Sequence, residues 1–234
     1  MHHEARITLA GTINKLELEY GARQTPILDI RLDGQIHNPT ENGKNITRSY
    51  HHHVRVIGNY AASLYTALKE GQPALAHGRL EQFRYTTKDG EDRSRTRIIA
   101  EGVSLLTGTE PTIKTDTGRT LLQRGRNQVT IVGTLTHQPE LKTAKNGDTY
   151  LQTGVAVDEY GNTHYFNITA WRELAQRLAQ ANKGDSIHLT GQLANHTWKD
   201  QDGNTRHTVS IEAREAHTLK YARPKPNPKM AKAA

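Results

Sequence analysis

Apolar and polar positions alternate over residues 6–13 (RITLAGTI) and again over 128–135 (QVTIVGTL), and both runs end Gly-Thr-apolar. Period-two alternation marks a half-buried strand, and a glycine inside it marks a kink or a close backbone approach, here at Gly11 and Gly133. An acidic-Leu pair follows each run, Glu17-Leu18 and Glu140-Leu141. Further on, 70–85 (EGQPALAHGRLEQFRY) and 183–198 (KGDSIHLTGQLANHTW) set Gly71, Gly78 and Leu80 in step with Gly184, Gly191 and Leu193, and Tyr85 in the place of Trp198. Two matching segments in the same order identify a tandem duplication.

Each copy predicts the same order of elements. The opening strand is followed by a second (27–32; 150–157) and a third (51–57; 163–170). A short helix comes next, with Ala61, Leu64, Tyr65 and Leu68 in the first copy and Leu174, Leu178 and Ala181 in the second at the spacing of one helical stripe. Gly71 and Gly184 are natural helix stops. A Gly-marked strand, a hairpin turning at Lys88-Asp89-Gly90 or Gln201-Asp202-Gly203, and a last strand complete the unit. Five strands with one helix between the third and fourth is the plan of an OB-fold barrel, whose closure removes most free edges. The chain is therefore expected to be all-β, with barrels at 1–108 and 126–220, a linker at 109–125 that lacks strand periodicity, and a Pro/Lys-rich extended tail at 221–234.

Composition changes the picture in three ways. No apolar run approaches the roughly 18 residues of a membrane span, and Met1-His2-His3-Glu4 opens no apolar signal region, so a cytoplasmic, nucleoid-associated protein is expected. The chain has no cysteine, which excludes disulfides and thiolate metal sites. The net charge of +7 splits as +2 over 1–108, +1 over 109–125, 0 over 126–220 and +4 over 221–234. More than half of the excess lies in the tail, so the binding argument rests on pattern rather than bulk charge.

The segments NQVTIVGTLTHQPELK, HYFNITAWRELAQRLA and KGDSIHLTGQLANHTWKDQDGNTRHTVSIEA make the second copy similar to bacterial single-stranded DNA-binding proteins along its length. The first copy resembles a more diverged version. Two such folds in one chain resemble the Deinococcus–Thermus type of that family. The resemblance implies nonspecific binding of single-stranded DNA in replication, recombination or repair, no cofactor, and a homodimer that brings four barrels together. It also implies an acidic tail that recruits other enzymes; here the chain ends Pro-Lys-Met-Ala-Lys-Ala-Ala, so recruitment by that route is not expected.

Binding single strands of any sequence needs flat π-faces for bases and cations for phosphates. The family's aromatic platform falls on Tyr160, Tyr165, Trp171 and Trp198 in the second copy. In the first copy the same places hold His51, Ile57 and Tyr85, with Phe83 and Tyr50 nearby. Arg93, Arg95 and Arg97 alternate and so share one face of a strand. Arg55, Arg79 and Arg84 lie in neighbouring elements, and Lys183 and Lys199 are further phosphate contacts of the second copy. A division of labour is expected, with stacking mainly on the second barrel and phosphate contacts mainly on the first. The loop between the second and third strands, which commonly touches DNA in the family, is long in the first copy (His37 to Ser49) and short in the second (Asp158 to Thr163).

His51-His52-His53 invites a metal site, but consecutive strand residues point to opposite faces and cannot converge on one ion. No acidic cluster, nucleophile–base pair or phosphate-cradling glycine loop supports an enzyme such as a metal-dependent nuclease. RNA binding, a primosomal accessory role and a protein-interaction scaffold remain as alternatives on the same fold.

Overall fold

The computed structural model describes residues 2–39, 45–87, 90–108, 111–199 and 205–219, with the backbone alone at 38, 39, 45, 198, 199 and 205–207. The first copy contains β1 (Glu4–Tyr20), β2 (Pro26–Pro39), β3 (Asn45–Ile57), α1 (Asn59–Ala67), β4 (Pro73–Thr86) and β5 (Asp92–Leu105). Next come two short strands, β6 (Thr112–Lys114) and β7 (Thr120–Leu122). The second copy contains β8 (Arg126–Leu135), β9 (Glu140–Thr143), β10 (Thr149–Glu159), β11 (Asn162–Trp171), α2 (Arg172–Leu178), β12 (Ser186–Lys199) and β13 (Thr205–Leu219).

Both copies close in the same order. The first runs β1–β2–β3–β5–β4 and back to β1, with only β3 and β5 parallel, Val54 facing Ile98. The second runs β8–β10–β11–β13–β12 and back to β8, with β11 and β13 parallel at Ile168 and Ile211. These are two five-stranded OB-type barrels, each with its helix between the third and fourth barrel strands. Inward positions carry the aliphatic residues, including Leu9, Ile13, Leu28, Ile30 and Leu80 in the first barrel and Ile131, Leu135, Leu151, Ile168 and Ile187 in the second, all less than 2% exposed. Burying each contributes roughly 1.5–3 kcal/mol.

The repeated glycines have a steric reason. Gly78 and Gly191 each sit at a β-bulge, and an added Cβ would lie 2.0 Å from the Ile99 carbonyl oxygen or 2.4 Å from that of Glu212. Gly11 and Gly133 are likewise pressed against the next strand, 2.9 Å from Asp33 O and 2.4 Å from Ala156 O on the same construction.

The two barrels share one continuous sheet because β1 and β8 pair antiparallel from Glu4–Val132 to Ala10–Arg126, centred on Ile7 and Val129. Other inter-barrel ties are polar. Asn195 donates from its amide to the His51 carbonyl (3.0 Å), the Gln82 backbone N–H donates to His164 Nδ1 (3.1 Å), and Arg48 donates to both Glu212 oxygens (2.9 and 3.0 Å). Since β3 and β4 correspond to β11 and β12, the first two contacts relate the barrels by an approximate two-fold.

Three expectations need correction. The linker carries the β6–β7 hairpin, which joins β2 at Gly34–Leu122; Arg119 pairs with buried Asp33 (3.2 Å), and Asn14 clamps Thr120 through both amide atoms (2.7 and 3.1 Å). The supposed long loop of the first copy is mostly strand, paired from His37–Thr47 out to Pro39–Asn45. The opening strand of the second copy, expected over 128–135, is β8, and a separate short strand, β9, follows the buried Pro139, which has no N–H to continue a ladder. Gly71 and Gly184 do not end the helices, which stop at Ala67 and Leu178; at φ of 87° and 88° they turn the chain into β4 and β12 and donate to the Ile13 and Leu135 carbonyls (2.7 and 2.8 Å). Both hairpin-turn predictions fall partly or wholly outside the described residues, and so does the basic tail.

Candidate nucleic-acid interface

On the second barrel β11 sets the site. Phe166 and Ile168 face the core, so Tyr165, Asn167 and Trp171 fall on the outer side. Tyr165 is 46% exposed and Trp171 38%. The six-residue separation spreads the two rings over roughly 20 Å of strand. Tyr150, opposite Trp171 on β10, backs the indole at a centroid distance of 5.2 Å. Behind Trp171 the chain turns through Arg172 at φ 52°, held by an ion pair to Asp148 (3.2 Å); the first barrel has Gly58 at φ 93° in the same place. Tyr160 and Gly161 form the two-residue turn between β10 and β11, both at positive φ.

On the first barrel β3 sends His51, His53, Arg55 and Ile57 outward and His52, Val54 and Val56 inward. Opposite them, β4 and β5 place Phe83 across from Arg95, Tyr85 across from Arg93 and Glu81 across from Arg97. Phe83 and Tyr85 lie parallel, 6.1 Å apart with an interplanar angle of 11°. The Arg97 guanidinium rests 3.1 Å above the Phe83 centroid, and that of Arg95 lies 5.7 Å from Phe83 and 5.8 Å from Tyr85. Burial, with Arg55 and Arg95 nearby, holds the Arg97 pKa down at about 10.

The arginines differ in what they have to spare. Arg55 is bound to Asp29 through two nitrogens, and Arg93 pairs with Glu91. Arg79 pairs with Glu81 (2.8 Å) and Glu101 (3.3 Å) and lies 5.1 Å from the Tyr160 ring centroid. Beside it, Arg6 reaches Glu159 (2.7 Å), so the β10–β11 turn is fastened to the first barrel. Among the described residues no carboxylate lies within ion-pair distance of Arg95 or Arg97.

A cleft of about 710 Å³ joins the two surfaces. Its walls include His51, His53, Arg55, Tyr85, Arg95 and Arg97 from the first barrel and Tyr165, Asn167 and Asn195 from the second. Burial and the Arg31 cation hold His51 and His53 below the ordinary imidazole pKa, so they line it as neutral rings near pH 7. His52, at the floor, is 5% exposed, within 3.4 Å of the Asn127 amide, and burial pushes its pKa down to about 3. Strand alternation thus separates the three histidines, and among the described residues no group of three His, Asp or Glu side chains converges on a metal position.

One expected contact is corrected. Tyr50 is 6% exposed, its hydroxyl donating to the Ala10 carbonyl against Gly34 and Gly125, so its ring belongs to the core and cannot receive a base. The signal was present: Tyr50 shares the parity of Val54 and Val56. Arg84 pairs across to Ser94, on the opposite face of the hairpin from Phe83 and Arg95. Lys183 is exposed ahead of β12 and does not line the cleft. Trp198 and Lys199 lie in β12 by backbone; their side chains fall outside the described residues. His53, Asn167, Asn195 and the backing ring Tyr150 were missed, although Asn167 shares the parity of Tyr165 and His53 that of His51.

Comparison with known proteins places these features in a group. A sequence profile described as the Single-strand binding protein family matches residues 5–106 and 126–219. A single-stranded DNA-binding protein of Thermus aquaticus is 32% identical over 97% of this chain and 86% of its own length. One from Deinococcus radiodurans is 28% identical over 87% of this chain and 71% of its own length. The crystal structure of the wild-type single-stranded DNA binding protein from Thermus aquaticus superposes with a TM-score of 0.80, at 27% identity, covering 98% of this chain and 99% of that one.

Proposed function

The chain belongs to the single-strand binding protein family, and from that membership we propose how its two barrels divide the work of holding single-stranded DNA. The chain binds single-stranded DNA. Phosphates are captured first by the first barrel, and bases then stack on the second. The observation that carries this reading is the contrast across the cleft: Arg95 and Arg97, without an ion-paired carboxylate among the described residues, on one wall, and the exposed Tyr165 ring on the other, with Trp171 further along its strand. Base–aromatic stacking contributes roughly 1–3 kcal/mol per base and accepts any base. Each phosphate neutralised releases counterions, so affinity falls with salt at a log–log slope of about −0.7 per contact on a single strand.

Binding is the whole of the activity in this reading, with no bond made or broken. The working particle is a homodimer presenting four barrels, as the family resemblance implies, and it acts on the nucleoid in the cytoplasm. Among the described residues no helix is long and apolar enough to cross a membrane. Titration with oligo(dT), oligo(rU) and duplex DNA tests the function: tight, salt-sensitive binding of oligo(dT) with little affinity for duplex is expected. Equal or greater affinity for oligo(rU) assigns the surface to RNA, and no binding to any of the three leaves a protein scaffold. Sedimentation at the binding concentration is expected to give twice the 26.2 kDa chain mass.

A further inference from the structure

The Phe83 face of the first barrel is already covered. The Arg97 guanidinium carbon sits 3.1 Å from the ring centroid, on a face where an incoming base would stack. Its Nε is buried and makes no hydrogen bond. Among the described residues no carboxylate forms an ion pair with it, so the ring is its main partner; Arg55 and Arg95 outweigh Asp29 and Glu81 in the local field. A phosphate entering the cleft offers a bidentate, charge-assisted partner, stronger than a cation–π contact. Tyr165 and Trp171 on the second barrel have no such cover among the described residues.

We infer that Arg97 is a phosphate-operated cover: it occludes Phe83 in the free chain, and a backbone phosphate bound in the cleft draws it off and opens a base seat. The first barrel then accepts a base only when the base arrives with its phosphate, whereas the second stacks bases regardless of backbone charge. This rests on the proposed single-strand reading and adds a specificity for the nucleotide as a charged unit.

The test compares phosphodiester oligo(dT) with a methylphosphonate oligo(dT) of equal length at fixed ionic strength. If the unaltered chain fails to bind the phosphodiester strand, the functional reading itself fails. Given that binding, Arg97→Ala is expected to weaken the phosphodiester complex and flatten its salt slope by about 0.7. The same change is expected to tighten binding of the uncharged strand by about three- to tenfold, the worth of an uncovered ring. Arg97→Lys, which keeps the charge but not the planar stack, is expected to retain the salt slope and still tighten the uncharged strand. Adding Phe83→Ala to either is expected to abolish that gain. Unchanged or weaker binding of the methylphosphonate strand by Arg97→Ala and Arg97→Lys would overturn the proposal.

Discussion

The two barrels are built on one plan and present different surfaces at matching positions. Where the second has Tyr165, Phe166 and Trp171 on its third barrel strand, the first has His51, His52 and Ile57. The barrel framework survives this divergence because it depends on the glycines at the bulges and on aliphatic alternation, not on the outward residues. The outward residues are not held by the packing, and they differ between the barrels. The barrel with no large ring at the outward positions of its third strand carries Arg95 and Arg97 beside Phe83 and Tyr85. Duplication inside one chain allows such asymmetry, which identical subunits could not have.

The buried pair His52 and Phe166 gives the largest expected difference. Folded His52 stays neutral to about pH 3, while in the unfolded chain it takes a proton near pH 6.5. Below that value the unfolded state binds more protons, so stability falls as pH drops from about 6.5 to 3, by up to roughly 1.4 kcal/mol per unit. His52→Phe, which copies the second barrel, is expected to remove roughly 2–3 kcal/mol of destabilisation at pH 4.5. Urea unfolding at pH 7 and pH 4.5 measures it, and an identical pH dependence in both proteins would contradict the assignment.

The platform comes next. Trp171→Ala is expected to cost about 1–3 kcal/mol of affinity for oligo(dT), roughly 5- to 150-fold, with the salt slope unchanged. The converse change sharpens the comparison: Ile57 is 49% exposed at the place of Trp171, so Ile57→Trp is expected to tighten binding by about three- to tenfold. The smallest effect is at Tyr50. Tyr50→Phe leaves the buried Ala10 and Arg126 carbonyls without that donor and is expected to lower stability by about 1 kcal/mol with no change in affinity. Lost affinity at unchanged stability would return Tyr50 to the binding face.

The barrel plan was legible in the sequence because period-two alternation and repeated glycines are local signals that the packing requires. The β6–β7 hairpin was not, since three-residue strands carry no period; it is held by distant partners, Asn14 and Asp33. The exposed Tyr165 and Trp171 were legible by parity and resemblance, while Tyr50 was misassigned where parity alone would have placed it inward. That Arg55 and Arg79 are occupied by Asp29, Glu81 and Glu101, while Arg95 and Arg97 pair with no carboxylate among the described residues, depends on contacts between strands. No local pattern could reveal it.

The division of labour is tested most directly by titrating oligo(dT) into the protein at several salt concentrations while following tryptophan emission, in the unaltered chain and in Arg95→Ala. Only Trp171 and Trp198 emit, and both belong to the second barrel. The account predicts strong quenching in both proteins, with weaker binding in Arg95→Ala and a salt slope shallower by about 0.7. Binding without quenching, or a variant whose affinity and slope match the unaltered chain, would contradict it.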